Sequence, residues 1–444
     1  MQNHSSDVRM NTTAPRSHLG LNGWAFRLLI LATGLTFAGF VLLLPVVPLW
    51  AARGGAGEVG AGATTSVFML TTVLTQLAMP WLLDHGGYRW TFPVGALLLG
   101  VPAPLLLATA DIGPLLAVSA VRGIGFGMAT VAGSALAARL VPPEQLGRAT
   151  GYYGLAVGVP NVFFLSTGVW AALNLGFAAV FWIAAAGPVL GAAAAAGIWI
   201  LARDETAGDE TAGAAAPAAD RDGAGGAAPA GLRLYAALGV PLVAMLVPAV
   251  ASSAIVTFLS IPLSESSTTV FTALLAFGVL AVCGRWAAGT LSDRHRRPVL
   301  LVYGSVAAVA GIACTAAALW PAGGAWSGPG PLGTAAAVAG AGLFGAGFGA
   351  VQNDTIVIMF RRAGSRAYGT ASAVWNIGYD AGTGLGSLIL GVVIQTAGYG
   401  PAFAAMGAVL AACLPAAVAL ARRPRRVRGR SGGGGPAPAD RERG

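Results

Sequence analysis

Asp380 is an acidic residue in the middle of a long apolar segment, VWNIGYDAGTGLGSLILGVV at 374–393. Burying an ionised carboxylate is costly, so an acid in such a segment usually serves a proton or substrate pathway. Asp354 and Arg122 also lie inside apolar segments. An acid that alternates between water and apolar surroundings can bind and release a proton, so Asp380 and, second, Asp354 are candidates for proton coupling. The alternative for Asp380 is a protonated or arginine-paired acid that only holds helices together.

Asn161 lies at a depth similar to that of Asp380 if both segments are helical. Asn161 follows Arg148 by 161 − 148 = 13 residues, and Asp380 follows Arg366 by 380 − 366 = 14. At about 1.5 Å per residue both lie about 20 Å along their helices, near the middle of a bilayer. The other candidates for the wall of a substrate cavity are Phe163, Phe164, Gln352, Asn353, Trp375, Asn376 and Tyr379. An aromatic cavity with one acid favours an amphipathic solute, including a cationic one.

The elements that position these residues are membrane spans. The chain has 444 residues, is 56% hydrophobic and 10% charged, and has a mean hydropathy of +0.72. A soluble protein of this length needs more charge, so we interpret the chain as an all-α integral membrane protein. Apolar runs of about 20 residues predict twelve spans, at 25–50, 61–83, 90–110, 114–140, 149–173, 177–201, 234–260, 269–291, 298–320, 333–360, 367–396 and 400–421.

Arginine positions predict the orientation. Of the 26 basic residues, all arginine, only Arg53 lies in a loop on one side, and Arg122 and Arg285 lie inside spans. The positive-inside rule then places both termini in the cytoplasm and the protein in the cell membrane. The cluster RRPRRVRGR at 422–430 can contact anionic lipid. Nucleic-acid binding is disfavoured, because the net charge of +9 has no basic domain to carry it.

The chain divides into two similar halves. The predicted parts are an N-terminal tail (1–23), a six-helix bundle (24–201), a disordered linker (202–233), a second bundle (234–421) and a basic tail (422–444). RATG at 148–151 and RAYG at 366–369 match at an offset of 218, and GFG at 125–127 recurs at 347–349. Two six-helix repeats with a substrate site between them are typical of transporters.

The loop GTLSDRHRR at 289–297 resembles the signature G-x-L-x-D-R-x-x-R of the major facilitator superfamily. The matching positions are Gly289, Leu291, Asp293, Arg294 and Arg297. A degenerate first-half copy, PWLLDHGGYR, keeps Leu82, Asp84, Gly87 and Arg89. VRGIGFG at 121–127 resembles the span-4 motif of the family, which implies a role for Arg122 in proton coupling or substrate binding. The structural alternative for Arg122 is a hydrogen bond to carbonyls of span 1 or span 2. ASAVWNIGYDAGTGLG is most similar to drug-efflux and sugar-efflux members.

This resemblance implies two pseudo-symmetric bundles of six transmembrane helices that work by alternating access. It implies proton-coupled efflux of a small amphipathic molecule such as a drug, a natural product or a sugar-like metabolite. The expected driving force is the proton gradient, without a cofactor, in a functional monomer. Asp84 would dock on the start of span 11 and Asp293 on the start of span 5, as a latch between the halves. Arg285 is expected to support this loop. The alternative is that each acid is satisfied within its own turn.

Three other function classes remain as alternatives. Proton-coupled import of a small organic solute fits the same architecture. An integral membrane enzyme is disfavoured, because the four histidines lie in the tail and two loops and no nucleophile, base or metal motif lies within a span. The three cysteines read as small apolar residues, so no metal site is expected. A channel is disfavoured, because the repeats provide no ring of like charges.

Overall fold

The computed structural model describes residues 20–108, 111–142, 145–207, 232–295, 298–320, 330–363 and 367–421. Within these ranges every regular element is a helix. The α-helices are α1 (Trp24–Leu43), α2 (Val46–Ala51), α3 (Gly57–Gly100), α4 (Ile112–Arg139), α5 (Leu146–Asn174), α6 (Phe177–Ala207), α7 (Leu232–Ser253), α8 (Ser267–His295), α9 (Leu301–Ala318), α10 (Pro331–Ala363), α11 (Tyr368–Ala397), α12 (Tyr399–Ala412) and α13 (Leu414–Ala421).

These helices make twelve crossings in the described part of the chain. The first apolar helical stretch, Trp24–Leu83, has 60 residues, which is about 90 Å of helix against a hydrocarbon core of about 30 Å. It turns back at Gly55 and Gly57, whose φ values of 88° and 65° favour glycine. Ten further apolar helical stretches follow it. The twelve spans predicted from the sequence are therefore confirmed.

The predicted linker is shorter than expected at both ends. α6 continues to Ala207 and α7 begins at Leu232, because Ala202, Arg203 and Glu205 favour continuation of the helix. Residues 208–231, and the tail segments 1–19 and 422–444, lie outside the described residues. The expectations for a disordered linker and for a lipid-binding basic tail fall on these segments.

Glycines set the same helix contact in both halves. A Cβ added to Gly125 on α4 would meet the carbonyl of Gly95 in the third crossing, and one added to Gly347 on α10 would meet the carbonyl of Gly304 on α9. Gly125 and Gly347 are 347 − 125 = 222 residues apart, and their partners Gly95 and Gly304 are 304 − 95 = 209 residues apart. Both contacts let the backbones approach closely, as small residues do in membrane helices.

A second matched contact has the same two offsets. A Cβ added to Gly127 would lie 2.8 Å from the Thr72 carbonyl oxygen, and one added to Gly349 would meet the Ala281 carbonyl. The pairs are again separated by 349 − 127 = 222 and 281 − 72 = 209 residues. Two contacts with identical offsets show that the internal repeat is a repeat of structure as well as of sequence.

The two halves meet along a boundary that we call the seam. α3 packs against α11, and α5 packs against α8. The first pair joins crossing 2 to crossing 11, and the second joins crossing 8 to crossing 5. The repeat relates crossings that are six apart, so it relates crossing 2 to crossing 8 and crossing 11 to crossing 5, and the two pairs are equivalent. The ends of α4, α6, α8 and α10 reach one side of the membrane, which we call the arginine face because the arginine-rich loops lie there. The other side is the opposite face.

Candidate transport site at the seam

Asp380 lies on α11 where that helix meets the other half. Its side chain is 6% exposed, and its Oδ2 accepts a hydrogen bond of 2.8 Å from Nε2 of Gln76 on α3. The Oε1 atom of Gln76 is buried and has no hydrogen-bond partner among the described residues. A neutral amide, and not an arginine, therefore holds the acid across the seam; the coupling role and the helix-holding role of Asp380 both stay predictions.

Gln76 was missed in the sequence analysis, because an uncharged amide near a span end is unremarkable. The repeat carries a signal for it. Gln76 and Arg285 are 285 − 76 = 209 residues apart, as are Asp84 and Asp293 in the two loops. Both halves therefore place a polar side chain at the same depth on the helix that lines the seam.

Five aromatic side chains form a continuous stack in the second half, which we call the aromatic ladder. Its members in order are Phe277, Phe344, Phe348, Tyr379 and Trp375. Successive ring centroids are 5.6–6.1 Å apart with interplanar angles of 9–26°. Offset stacking at these distances joins α8, α10 and α11 and brings two predicted cavity residues together.

Arg285 lies at the end of this ladder. Its guanidinium carbon is 5.8 Å from the centroid of the Trp375 ring, and Nη1 donates a 3.4 Å hydrogen bond to Oε1 of Gln352. Trp375 is fixed in turn by a 3.1 Å bond from Nε1 to Oγ1 of Thr355. The sequence assigned Arg285 to the loop machinery, whereas the structure groups it with the cavity candidates, because its long side chain reaches α10 and α11.

The cavity candidates on α5 occupy two faces of that helix. A Cβ added to Gly278 on α8 would lie 3.4 Å from the Asn161 carbonyl oxygen and 3.4 Å from Cα of Val162, an ordinary contact distance. Asn161 donates its Nδ2 proton to Val157 O of its own helix at 2.8 Å. Phe163 is 57% exposed and Phe164 36% exposed. The structure thus places Asn161 against α8, whereas Phe163 belongs to an exposed stripe of α5.

Between this contact and the arginine face, α5 borders open space. Gly151, Gly154 and Gly158 have no atom within 4 Å of an added Cβ. On α11, Asn376 is exposed and donates to Ser372 O at 2.9 Å within its own helix. The seam residues nearer the arginine face are therefore accessible, which is what a cavity opening to that face requires.

Toward the opposite face the halves are in close contact. Ser66 Oγ donates a 2.7 Å bond to Gly384 O, and Tyr399 Oη donates a 3.2 Å bond to Oε1 of Glu58. A Cβ added to Gly391 would lie 2.7 Å from the Glu58 carbonyl oxygen. These contacts, all between α3 and α11 or α12, close the seam on that side and were not predicted.

Asp354 occupies a different place from Asp380. It is fully buried, and its Oδ1 accepts hydrogen bonds from Ser292 Oγ at 2.8 Å and from Asn353 Nδ2 at 3.5 Å. Its partners join α10 to α8 inside the second half, near the arginine face. The arrangement fixes two helices of one half, so it gives Asp354 a positioning role; a role in coupling stays a prediction.

Arg122 is buried inside the first half. Its Nε donates a 3.1 Å bond to Leu99 O, and its guanidinium carbon is 5.7 Å from the Phe68 ring centroid. It borders a cavity of about 20 Å³ that is also lined by Phe40 and Ser119, which is enough for about one water molecule. The backbone bond matches the structural alternative in kind, although the carbonyl comes from the third crossing.

The latch residues are described only in part. The side chains of Asp84 and Asp293 lie outside the described set, as does Arg297. Gly87 lies at the turn between two crossings with a φ of 66°, Gly289 lies near Asn353, and Arg294 is exposed. The Arg89 guanidinium stacks on Trp90 at 5.0 Å. The docking contacts stay a prediction, and the helix pairs they need, α3 with α11 and α8 with α5, are in contact.

The fold and the seam define a multi-pass membrane transporter built from two structural repeats. Residues 29–373 match the profile of the Major Facilitator Superfamily, which is more than half of the chain. The protein therefore belongs to the Major Facilitator Superfamily. Among curated proteins no relative matches the sequence.

Solved transporter structures share this fold. A bacterial homologue of the human lysosomal transporter Spinster, inward-facing and unoccupied, is 15% identical with a TM-score of 0.62, over 90% of this chain and 95% of that one. The nucleoside transporter NupG is 12% identical with a TM-score of 0.62, over 89% and 98%. A POT family transporter in complex with 5-aminolevulinic acid is 12% identical with a TM-score of 0.66, over 91% and 98%. At these identities the similarity shows the fold.

Proposed function

We propose that this protein is a proton-coupled exporter of small amphipathic organic molecules that works by alternating access. The observation that carries the proposal is the hydrogen bond between Asp380 and Gln76. It places an acid on the boundary that must open and close, beside the aromatic ladder. No cofactor is expected, and the proton gradient supplies the driving force.

The Asp380–Gln76 bond provides a physical means of coupling. An ionised carboxylate accepts a stronger hydrogen bond from an amide than a neutral carboxyl group does. Proton binding to Asp380 would therefore weaken this contact between the halves, and proton release would restore it. A ligand or proton shifts a conformational equilibrium only through such a difference between states, and a bond across the seam supplies that difference.

The direction of transport rests on sequence similarity. The seam is closed at the opposite face and accessible near the arginine face, as at Asn376, a state through which importers and exporters that work by alternating access both pass. The glycine-rich spans 10 and 11 are most similar to drug-efflux and sugar-efflux members of the family. The solved relatives that handle a nucleoside or bind 5-aminolevulinic acid support small organic solutes as the substrate class.

A single strain experiment tests export. The protein is expressed in a bacterial strain lacking its major efflux pumps, and accumulation and toxicity are measured for a panel of amphipathic compounds, with and without a protonophore. Lower accumulation that the protonophore abolishes is the expected result. Energy-dependent accumulation would instead establish import, and no change for any compound would contradict transport of this class.

Asp380→Asn tests the coupling residue in the same assay. Because asparagine can accept the hydrogen bond from Gln76 but has no titrating group, we expect export to lose its dependence on the pH gradient. A matched control is Asn174→Asp, at an exposed amide that bonds only to its own helix through Trp170 O. Retained export with unchanged pH dependence in Asp380→Asn would remove Asp380 as the coupling site.

A further inference from the structure

Arg285 is a charged residue inside a membrane-spanning helix, Ser267–Ser292, and its contacts with the side chains that the structure describes include no acid. Among the described residues its guanidinium contacts the Trp375 ring and Oε1 of Gln352, the latter through a long bond of 3.4 Å. A guanidinium has five N–H donors, so most of its hydrogen-bonding capacity is unused by these contacts. Charged groups at membrane depth usually find a partner or face a water-filled path, and here the side chain is exposed.

Helical geometry shows that Arg285 faces the seam and not the lipid. A Cβ added to Gly278 on α8 would lie 3.4 Å from the Asn161 carbonyl oxygen on α5, so the two helices approach each other there. Arg285 follows Gly278 by seven residues, and Gly154 precedes Asn161 by seven, so each lies about two turns away on the same face of its helix. Both steps run toward the arginine face. Arg285 and Gly154 therefore lie on facing sides of the two helices, where Gly154 borders open space.

The two charged groups near the cavity differ in their availability. The Asp380 side chain is 6% exposed and is bonded to Gln76, whereas Arg285 is an exposed residue whose guanidinium has no acidic partner among the side chains that the structure describes. The charge that the cavity offers to a solute is therefore positive. This reverses the preference for cations that an aromatic cavity with one acid suggests.

We propose that the transport site binds organic carboxylates, with the carboxylate of the solute on Arg285 and its apolar part in the glycine-lined gap between α5 and α8. Arginine suits this task because its planar N–H groups match the two oxygens of a carboxylate. Trp375 and Gln352 orient the guanidinium. The inference names the substrate class of the proposed transporter and so rests on that function.

Binding of three indole compounds that differ chiefly in charge tests the proposal. The full-length protein, purified in neutral maltoside micelles, is titrated calorimetrically with indole-3-acetate, tryptamine and tryptophol. We expect indole-3-acetate to bind about tenfold or more tightly than the other two, the difference that one charge-assisted contact provides. Arg285→Gln should remove this preference, and Arg285→Lys, which keeps the charge, should retain part of it. The matched control is Arg27→Gln, at an exposed arginine of α1.

Each other outcome contradicts the proposal. Equal or tighter binding of tryptamine, no binding of any probe, or indole-3-acetate binding that is unchanged in Arg285→Gln would overturn it. Competition by phosphatidylglycerol that depends on Arg285 would assign the residue to a lipid phosphate instead. Variants are compared only if they elute as the wild type does on size exclusion. Binding is measured without a proton gradient, so its result does not depend on whether the protein transports in cells. Binding that depends on Arg285, together with no transport in cells, would reject the exporter and keep the carboxylate site.

Discussion

Replacing Gln76 with leucine should open the seam at the opposite face. The change removes the 2.8 Å bond to Asp380 and leaves a buried carboxylate without its donor. A hydrogen bond to a charged group contributes about 1.5–3 kcal/mol, and a factor of ten corresponds to about 1.4 kcal/mol. The equilibrium between closed and open seams should therefore shift by roughly 10- to 150-fold toward the open state.

A buried reporter at the closed end of the seam measures this shift. Ser387 is fully buried and bonds to Thr257 at 3.1 Å, so a cysteine there reacts with an impermeant maleimide only when the seam opens. The native cysteines to be replaced first are Cys283, Cys314 and Cys413. Labelling of Ser387→Cys should be at least about tenfold faster with Gln76→Leu and unchanged with the control Asn174→Leu. Equal rates for the two variants would refute the bond as a stabiliser of the closed seam.

The same reporter separates the charge of Asp380 from its shape. Protonation weakens the bond from Gln76. Because maleimide reacts with the thiolate, whose fraction falls with pH, each labelling rate is divided by that of a solvent-exposed cysteine at the same pH. This normalised rate of the otherwise wild-type reporter protein should rise as the pH falls through the range in which Asp380 binds its proton. Asp380→Asn keeps an acceptor of the same size without a titrating group, so its normalised labelling rate should not follow pH. A pH dependence that survives in Asp380→Asn would assign proton sensing to another group.

Two further changes test a contact that closes the seam and a glycine contact inside the second half. Tyr399→Phe removes the bond to Glu58 at the opposite face, so labelling at Ser387→Cys should rise by up to about tenfold, as a bond worth about 0.5–1.5 kcal/mol implies; an unchanged rate would show that this contact does not hold the seam. Gly349→Ala places a Cβ against the Ala281 carbonyl and should cost about 1–3 kcal/mol, seen as a lower thermal unfolding temperature, whereas Gly154→Ala meets open space and should leave that temperature unchanged; equal unfolding temperatures would contradict the close packing.

The twelve crossings and the two halves could be predicted from the sequence because each depends on local patterns. An apolar run of the right length specifies a crossing, and Asp380 was identified because its charge is rare in such a run. Gln76 could not be found in the same way. Its partner is 304 residues away in sequence, and only the packing of α3 on α11 shows that the two side chains meet.

Arg285 shows a different limit of the sequence. Its position four residues before Gly289 suggested a role in the signature loop. Where its side chain extends depends on the rotation of α8 against α10 and α11, which places the guanidinium on Trp375 and Gln352. Helix rotation is set by contacts such as that of Gly349 with Ala281, and such contacts are not readable from one span alone.

The matched glycine contacts and the unmatched seam residues show where the two halves are alike and where they differ. Gly125 and Gly347 keep the same backbone neighbour in both copies. At the equivalent seam position one copy has Gln76 and the other Arg285, an amide that joins the halves and a cation that faces the gap. The pseudo-symmetry of the framework therefore stops at the seam, where two equivalent positions have different tasks: one side chain holds the halves together and the other leaves a positive charge beside the gap.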